Sequence, residues 1–372
     1  MWSVSKLVRR EGQGTRIKFG PRSELQVFTP QSPSFPDQLF SCEVLGEIAA
    51  LEAWRSYWNV VCHAYSVDMD PRADDAAALL ALLRLKRRGE SWGAIAADVT
   101  YEGSASTVFD ARFNDALLVS PQAVSVLEEA RALVSLWRDE NLEFVTVLDD
   151  LYPSRLRDIH EMPPFLFYSG ELRSADDGMS VVGSRSASRQ SQELAAEIAR
   201  FLIAEDLTVI SGLAEGIDAA AHRAALDAGG RTVAFIGTGI TKFYPARNAD
   251  LQREVAERGL LISQFYPDAP PTKQSFPIRN AAMSGYGLAT IVVEAGEHSG
   301  TRIQARVAGD HGRPVILTSR VVDDTTWGRA LVGKPNVYVA STMGEMKEAI
   351  RSVRSVPDEL QRALGALAAG VA

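Results

Sequence analysis

Thr208-Val-Ile-Ser211-Gly-Leu-Ala-Glu-Gly-Ile-Asp218 decides the fold. A short apolar, β-branched run ends in a glycine turn and passes directly into a helical pattern carrying Ala221-His-Arg223. The same succession surrounds it. Strands are expected at Phe165 to Tyr168, Ser180 to Gly183, Thr208 to Ser211, Thr232 to Ile236, Leu260 to Ser263, Thr290 to Glu294, Val315 to Thr318 and Val337 to Ala340. Helical patterns lie between them, as at Gln190 to Ala204, where Leu194, Ile198, Phe201 and Leu202 share one face. Nearly continuous apolar strands alternating with helices predict an α/β fold, a Rossmann-like and mostly parallel sheet with helices on both faces. Ligands on such sheets bind beyond the C-terminal strand ends.

The loops at those ends carry the chemistry. Gly183, Ser184 and Arg185 follow one strand and precede the Gln190 helix, so backbone amides and a helix N-terminus suit an anion, and Arg185 can fork onto two phosphate oxygens. The plainer reading is a tight turn with a surface arginine. Ser211 and Gly212 begin a more specific crossing, with Asp218 and His222 at i,i+4 on the following helix. With no nucleophile beside them, the pair reads as an imidazole held by a carboxylate that supports the loop. Gly237-Thr-Gly239, followed by Tyr244-Pro245 and Asn248, lacks the third glycine of a dinucleotide fingerprint and the acidic residue for a ribose, which argues against NAD. Lys273-Gln-Ser-Phe276-Pro-Ile-Arg279-Asn280 combines two cations with a ring, the mixture single-stranded nucleic acid requires. The competing reading packs Phe276 into the core and pairs Arg279 with a carboxylate. Ser299, Gly300 and Thr301 open a last helix whose amides suit an anion.

In this order and spacing, and with Glu294 before Ser299, these residues resemble the DNA-processing protein A (DprA/Smf) family over about residues 150 to 320. The resemblance implies a non-enzymatic protein that binds single-stranded DNA without sequence preference and loads RecA during natural transformation, acting as a cytoplasmic homodimer. It puts Arg185, Lys273, Phe276 and Arg279 in the DNA groove, with phosphates along the three cations, a base on Phe276, and amides at Gly183, Gly212 and Gly300 as further anion contacts. Ser184, Ser211, Asn280, Ser299 and Thr301 complete that expected surface, while Asp218, His222 and Asn248 support its loops. No cofactor, metal or catalytic residue is implied. Two departures stand out: Ala281 where the family continues Arg-Asn-Arg, and Thr318-Ser319 where it commonly shows Pro-Gly. The loop of Glu294 and Ser299 also resembles lysine-decarboxylase-like phosphoribohydrolases, but Gln304 stands where their catalytic glutamate would be and cannot serve as a carboxylate base. A nucleotide hydrolase is therefore the weaker alternative. A DprA-like regulator or sensor, encoded beside toxin or phage-defence genes, is the other.

Composition is ordinary for a globular chain of 372 residues, 46% hydrophobic and 23% charged. No run reaches about 18 apolar residues, and the polar beginning does not read as a signal peptide, so no membrane association is expected. Cys42 and Cys62 have no companions at metal-like spacing, and His63, His160, His298 and His311 are scattered. Net charge is −8, yet residues 178–320 hold fifteen Lys or Arg against fourteen Asp or Glu, so the excess acid lies elsewhere.

The expected organisation is an atypical stretch over 1–68, with a helix from Cys42 to Trp58, that is either an extension or the product of a start assigned ahead of Met69; a helical domain over 69–142 that resembles the sterile-alpha-motif or helix-hairpin module preceding the core in this family; the core over 143–342; and a helical tail over 343–372. Ser120-Pro121 reads as an N-cap and first helical position. The Ala-rich stretch from Leu360 leaves no room for the winged helix that ends some members of the family.

Overall fold

The computed structural model describes residues 16–19, 25–28, 71–115 and 118–355. The expected helix from Cys42 to Trp58, both cysteines and the stretch from Leu360 lie outside them. Two compact units emerge, Met1–Asp70 and Pro71–Ala372. In the first, Arg16–Phe19 pairs antiparallel with Leu25–Phe28.

The second unit begins with four helices: α1 (Pro71–Arg84), α2 (Trp92–Glu102), α3 (Ala105–Phe113) and α4 (Pro121–Asp139). Their ends follow local chemistry. Ser91 and Ser120 accept from the amides of Ala94 and Ala123, and Gly103 closes α2 in the left-handed region at φ 71°. Asp75 of α1 receives the Ser104 hydroxyl and the Ser106 amide, which ties the start of α3 to α1. Aromatic rings join these helices to the sheet: Trp137 meets Phe167 edge-on at 4.9 Å, and Trp92 lies 5.7 Å from Phe165.

Asn141, at φ 55°, turns the chain out of α4 into β1 (Glu143–Thr146). Then come β2 (Phe165–Gly170), β3 (Gly178–Val182), α5 (Arg189–Ala204), β4 (Thr208–Ser211), α6 (Ile217–Asp227), β5 (Thr232–Phe235), α7 (Ala249–Arg258) and β6 (Leu260–Ser263). The chain continues through α8 (Ser275–Tyr286), β7 (Ala289–Val292), α9 (Gly300–Asp310), β8 (Val315–Thr318) and β9 (Val337–Ala340). The nine strands form one sheet in the order β9-β8-β7-β3-β4-β5-β6-β2-β1. Pairing is parallel from β9 through β6, with Thr290 opposite Ser180 and Val209 opposite Thr232, and antiparallel at β6-β2 and β2-β1. The expected mostly parallel α/β sheet is therefore present. Strand β1 escaped the sequence pattern because it is only half-covered and has no apolar run of its own.

Alternation along the strands separates the two helical layers. Met179 and Val181 of β3 pack with Ile198 and Leu202 of α5 and Ala221 of α6, whereas Ser180 between them donates to the carbonyl of Met283 on α8. On β5, Ala234 joins Leu226 and Val255 on the first face, and Phe235 meets Tyr286 of α8 at 5.2 Å on the second. A helix over 343–355 buries Met346, Ala349, Ile350 and Val353 in the α5 cluster. All loops leaving the parallel strands towards their helices thus open at one end of the sheet.

Candidate nucleic-acid interface

At that end, Arg185, Gly212, Gly237, Tyr244, Phe276 and Arg279 border a cleft of about 220 Å³. The beginning of α8 aims its ring. Ser275 and Thr272 exchange hydrogen bonds, each hydroxyl accepting the other's amide, and fix the turn from which Phe276 projects. The exposed Arg185 sets its guanidinium carbon 5.2 Å from the centre of the half-buried Phe276 ring, a cation–π distance. Tyr244 offers a second ring 5.6 Å away, tilted by 39° and itself 37% exposed. Gly237 permits the arrangement, since a Cβ there would stand 2.7 Å from Cδ1 of Phe276. Arg247 pairs with Glu215 at the rim, 3.2 Å apart. Lys273, three residues before Phe276, is exposed, and no carboxylate among the described residues pairs with it. It is not part of the cleft lining.

Arg279 differs from the expectation of a phosphate-tracking cation. It is 5% exposed and lies beneath the cleft, donating to the main-chain oxygens of Gly212 and Phe235 and to Asn280 Oδ1. Burial pulls its pKa down to about 10, against the pull of Asp218 and with that of Arg185. Gly212 is glycine because a Cβ would collide with this guanidinium. The close approach at that loop is therefore by arginine and not by phosphate.

Asp218 and His222 also part company. The Asp218 carboxylate accepts from the amides of Gly212, at 3.1 Å, and Ala214, at 3.4 Å, and burial raises its pKa. His222 turns instead to Thr232, with Nδ1 2.7 Å from Oγ1. Because the threonine hydroxyl donates to the Val209 carbonyl, Nδ1 must carry the proton, and Nε2 has no partner. Burial drives the pKa of this imidazole down to about 3. The expected imidazole–carboxylate pair is thus replaced by two separate supports, one under each side of the loop. Asn248 adds a third, its amide donating to the carbonyl of Leu213, which is held at φ 56°.

Other expected anion contacts are already committed. The Ser211 hydroxyl is buried and donates to the Val181 carbonyl, and the Gly212 amide goes to Asp218. Ser184 accepts the Ser186 amide on its hydroxyl and gives its own amide to the Glu294 carbonyl. Gly183 is confined by Ile217 and the Glu294 carbonyl, either of which an added Cβ would strike. Ser299, Gly300 and Thr301 do not reach the cleft. Ser299 caps α9 through the Thr301 amide and lies beside a separate depression bordered by His298, Arg302 and Arg306. Asn280 serves Arg279.

A family model for the DNA recombination-mediator protein A matches residues 143–341, more than half the chain. The chain belongs to this family. DNA processing protein DprA of Streptococcus pneumoniae is 41% identical over 172 residues, 46% of this chain and 61% of that protein. Protein Smf of Escherichia coli is 36% identical over 183 residues, 48% of this chain and 49% of that protein. The matches thus span about half to three-fifths of those relatives. Among solved structures, DprA of S. pneumoniae superposes with a TM-score of 0.57 at 28% identity, covering 73% of this chain and 94% of that one. DprA of Helicobacter pylori, described for its unique single-stranded DNA binding mode, shares the fold with a TM-score of 0.51 at 22% identity, over 56% of this chain and 96% of that one.

For this recombination-mediator core, sequence reasoning missed Tyr244 and Gly237 as parts of the cleft, although both belong to loops it had marked. Their signal was the strand-end position they share with Arg185; what hid it was that Gly237 lies 39 residues from Phe276 in the chain. Among the described residues, no helix is long and apolar enough to cross a membrane.

Proposed function

We propose that this member of the recombination-mediator family binds single-stranded DNA in the Arg185–Phe276–Tyr244 cleft, with Lys273 extending the path of the phosphates. The carrying observation is the juxtaposition of one exposed guanidinium with two accessible rings. A duplex keeps its base faces stacked, whereas a single strand can offer one to Tyr244 or Phe276, worth about 1–3 kcal/mol per base and indifferent to sequence. Arg185 then has two roles: it can leave the Phe276 ring for a phosphate or remain as a stacking plane. Ala281, where the family resemblance expects an arginine, is buried and adds no cation to this surface.

The protein's part in recombination is read as delivery of the strand to RecA, as a cytoplasmic homodimer, on the strength of family membership. It acts by binding rather than bond cleavage. Gln304 supports that reading, because the position that would hold a catalytic carboxylate in a phosphoribohydrolase is a buried amide. The test is titration of a labelled oligothymidine and a duplex of equal length across a salt series. Preferential, salt-sensitive binding of the single strand, lost with Lys273→Glu and Arg185→Glu, is expected. Equal binding of both DNAs, or retention by both variants, overturns the assignment. For the RecA step, acceleration of filament assembly on strands coated with single-strand-binding protein is expected; no acceleration by a variant-sensitive, DNA-binding preparation removes that step.

A further inference from the structure

The sheet order runs outward from β3 in both directions, to β4, β5 and β6 on one side and to β7, β8 and β9 on the other. The crevice beyond β3 and β7 is therefore the topological switch point, where doubly wound sheets hold phosphorylated ligands against the N-terminus of the helix that follows the first strand. Here that helix is α5, sixteen residues long and capped by Ser188.

The place is filled from within the chain. Glu294, just past the end of β7, lays its carboxylate there and accepts the Ser188 amide at 3.2 and 3.3 Å and the Ser188 hydroxyl at 2.8 Å. Arg320, arriving from the end of β8, stands 3.7 Å from the same carboxylate and donates to the hydroxyls of Ser188 and Ser191 at 3.2 Å each. An amide, two hydroxyls and a guanidinium around one anionic group form the donor set that a phosphate monoester uses. The Glu294 side chain is only 15% exposed. Although burial pushes its pKa up, the bonds from Ser191 and Ser188 and the charge of Arg320 bring it below the ordinary glutamate value, so it is an anion at neutral pH.

We infer that Glu294 is a specificity-determining resident anion, which occupies the phosphate seat of the fold and closes the switch-point crevice to mononucleotides and dinucleotides. A phosphate would meet both the volume and the charge of the carboxylate, and the neighbouring cleft of Arg185 and Phe276 is left as the place for a polyanion. This reading concerns the crevice alone and stands whether or not the cleft binds DNA.

The experiment compares the full-length protein with Glu294→Ala and Glu294→Gln in thermal unfolding, raising inorganic phosphate against sodium chloride of equal ionic strength. Alanine removes volume and charge; glutamine removes charge but keeps a Ser188 acceptor, and it decides the matter should the alanine variant fail to fold. Expected is a phosphate-specific rise in Tm of several degrees for Ala, a smaller rise for Gln, both beyond any seen in the wild type, and loss of the Ala gain when Arg320→Ala is added. Equal phosphate responses in wild type and whichever variants fold overturn the inference, as does a gain that survives Arg320→Ala.

Discussion

Replacing Arg279 by methionine separates a structural arginine from a DNA-contacting one. The side chain has similar reach but no donors, so the main-chain oxygens of Gly212 and Phe235 lose their partner and the buried Asp218 loses its nearest cation. Each hydrogen bond from a charged donor contributes about 1.5–3 kcal/mol. Breaking a buried ionic arrangement by removing one partner costs about 3–5 kcal/mol, so a loss of roughly 4 kcal/mol is expected. In a unit of this size that corresponds to a fall in Tm of about 6 °C. The Asp218 carboxyl, already raised by burial, then rises further, because Arg279 is what had held it down. A folded carboxyl above its unfolded pKa gains stability as pH falls through its folded value, so the deficit of Arg279→Met should shrink on acidification. Urea unfolding followed by tryptophan fluorescence at pH 7.5 and pH 5.5 measures both effects, with DNA binding corrected for the folded fraction. A variant within about 1 kcal/mol of wild type that nevertheless loses single-stranded DNA would refute the reasoning and return Arg279 to the groove.

Arg185→Glu and Lys273→Glu should weaken single-strand binding at every sequence and reduce the slope of log affinity against log salt by about 0.7 for each phosphate no longer neutralised, as read by fluorescence anisotropy; Tm should stay near wild type because both side chains are exposed. Phe276→Ala and Tyr244→Ala should each cost about 1–3 kcal/mol of affinity with little change in that slope, since a stacking face and not a charge is removed. Gly237→Ala should displace the Phe276 ring and lower affinity without adding or removing a charge; unaltered binding would show that the ring position is immaterial. His222 is neutral when folded and titrates near pH 3, while the unfolded imidazole takes its proton near pH 6.5. Its contribution is therefore full above pH 6.5 and is lost as pH falls towards 3, by about 1.4 kcal/mol per pH unit, and His222→Gln should flatten that part of the stability profile.

Strand-end loops were legible in the sequence because their signal is local: an apolar run, a glycine and a helical pattern occur within a dozen residues, as from Thr208 to Asp218. The partners of the polar groups in those loops were not, because they come from distant chain. Arg279 reaches Gly212 across 67 positions, and its motif neighbours Phe276 and Asn280 read the same whether the guanidinium faces solvent or the protein interior. His222 illustrates the same limit at shorter range: i,i+4 spacing brings Asp218 near it on the helix, but β5 supplies Thr232 from the side that the ring faces. Burial then settles the contest, since an imidazole under α6 keeps one proton and needs a neutral acceptor, while the carboxylate needs donors and finds two loop amides. Glu294 follows from the same logic. A carboxylate placed one residue beyond Val293 carries, in sequence, a likeness to the family's loop but no partner; only the return of β7 beside β3 brings it to Ser188, 106 positions earlier, and turns it into the anion that the helix terminus requires. The residues proposed to bind and those that hold the loops are therefore of the same chemical types, and the difference between Arg185 and Arg279 is whether the sheet leaves the side chain any unpaired backbone oxygen to satisfy.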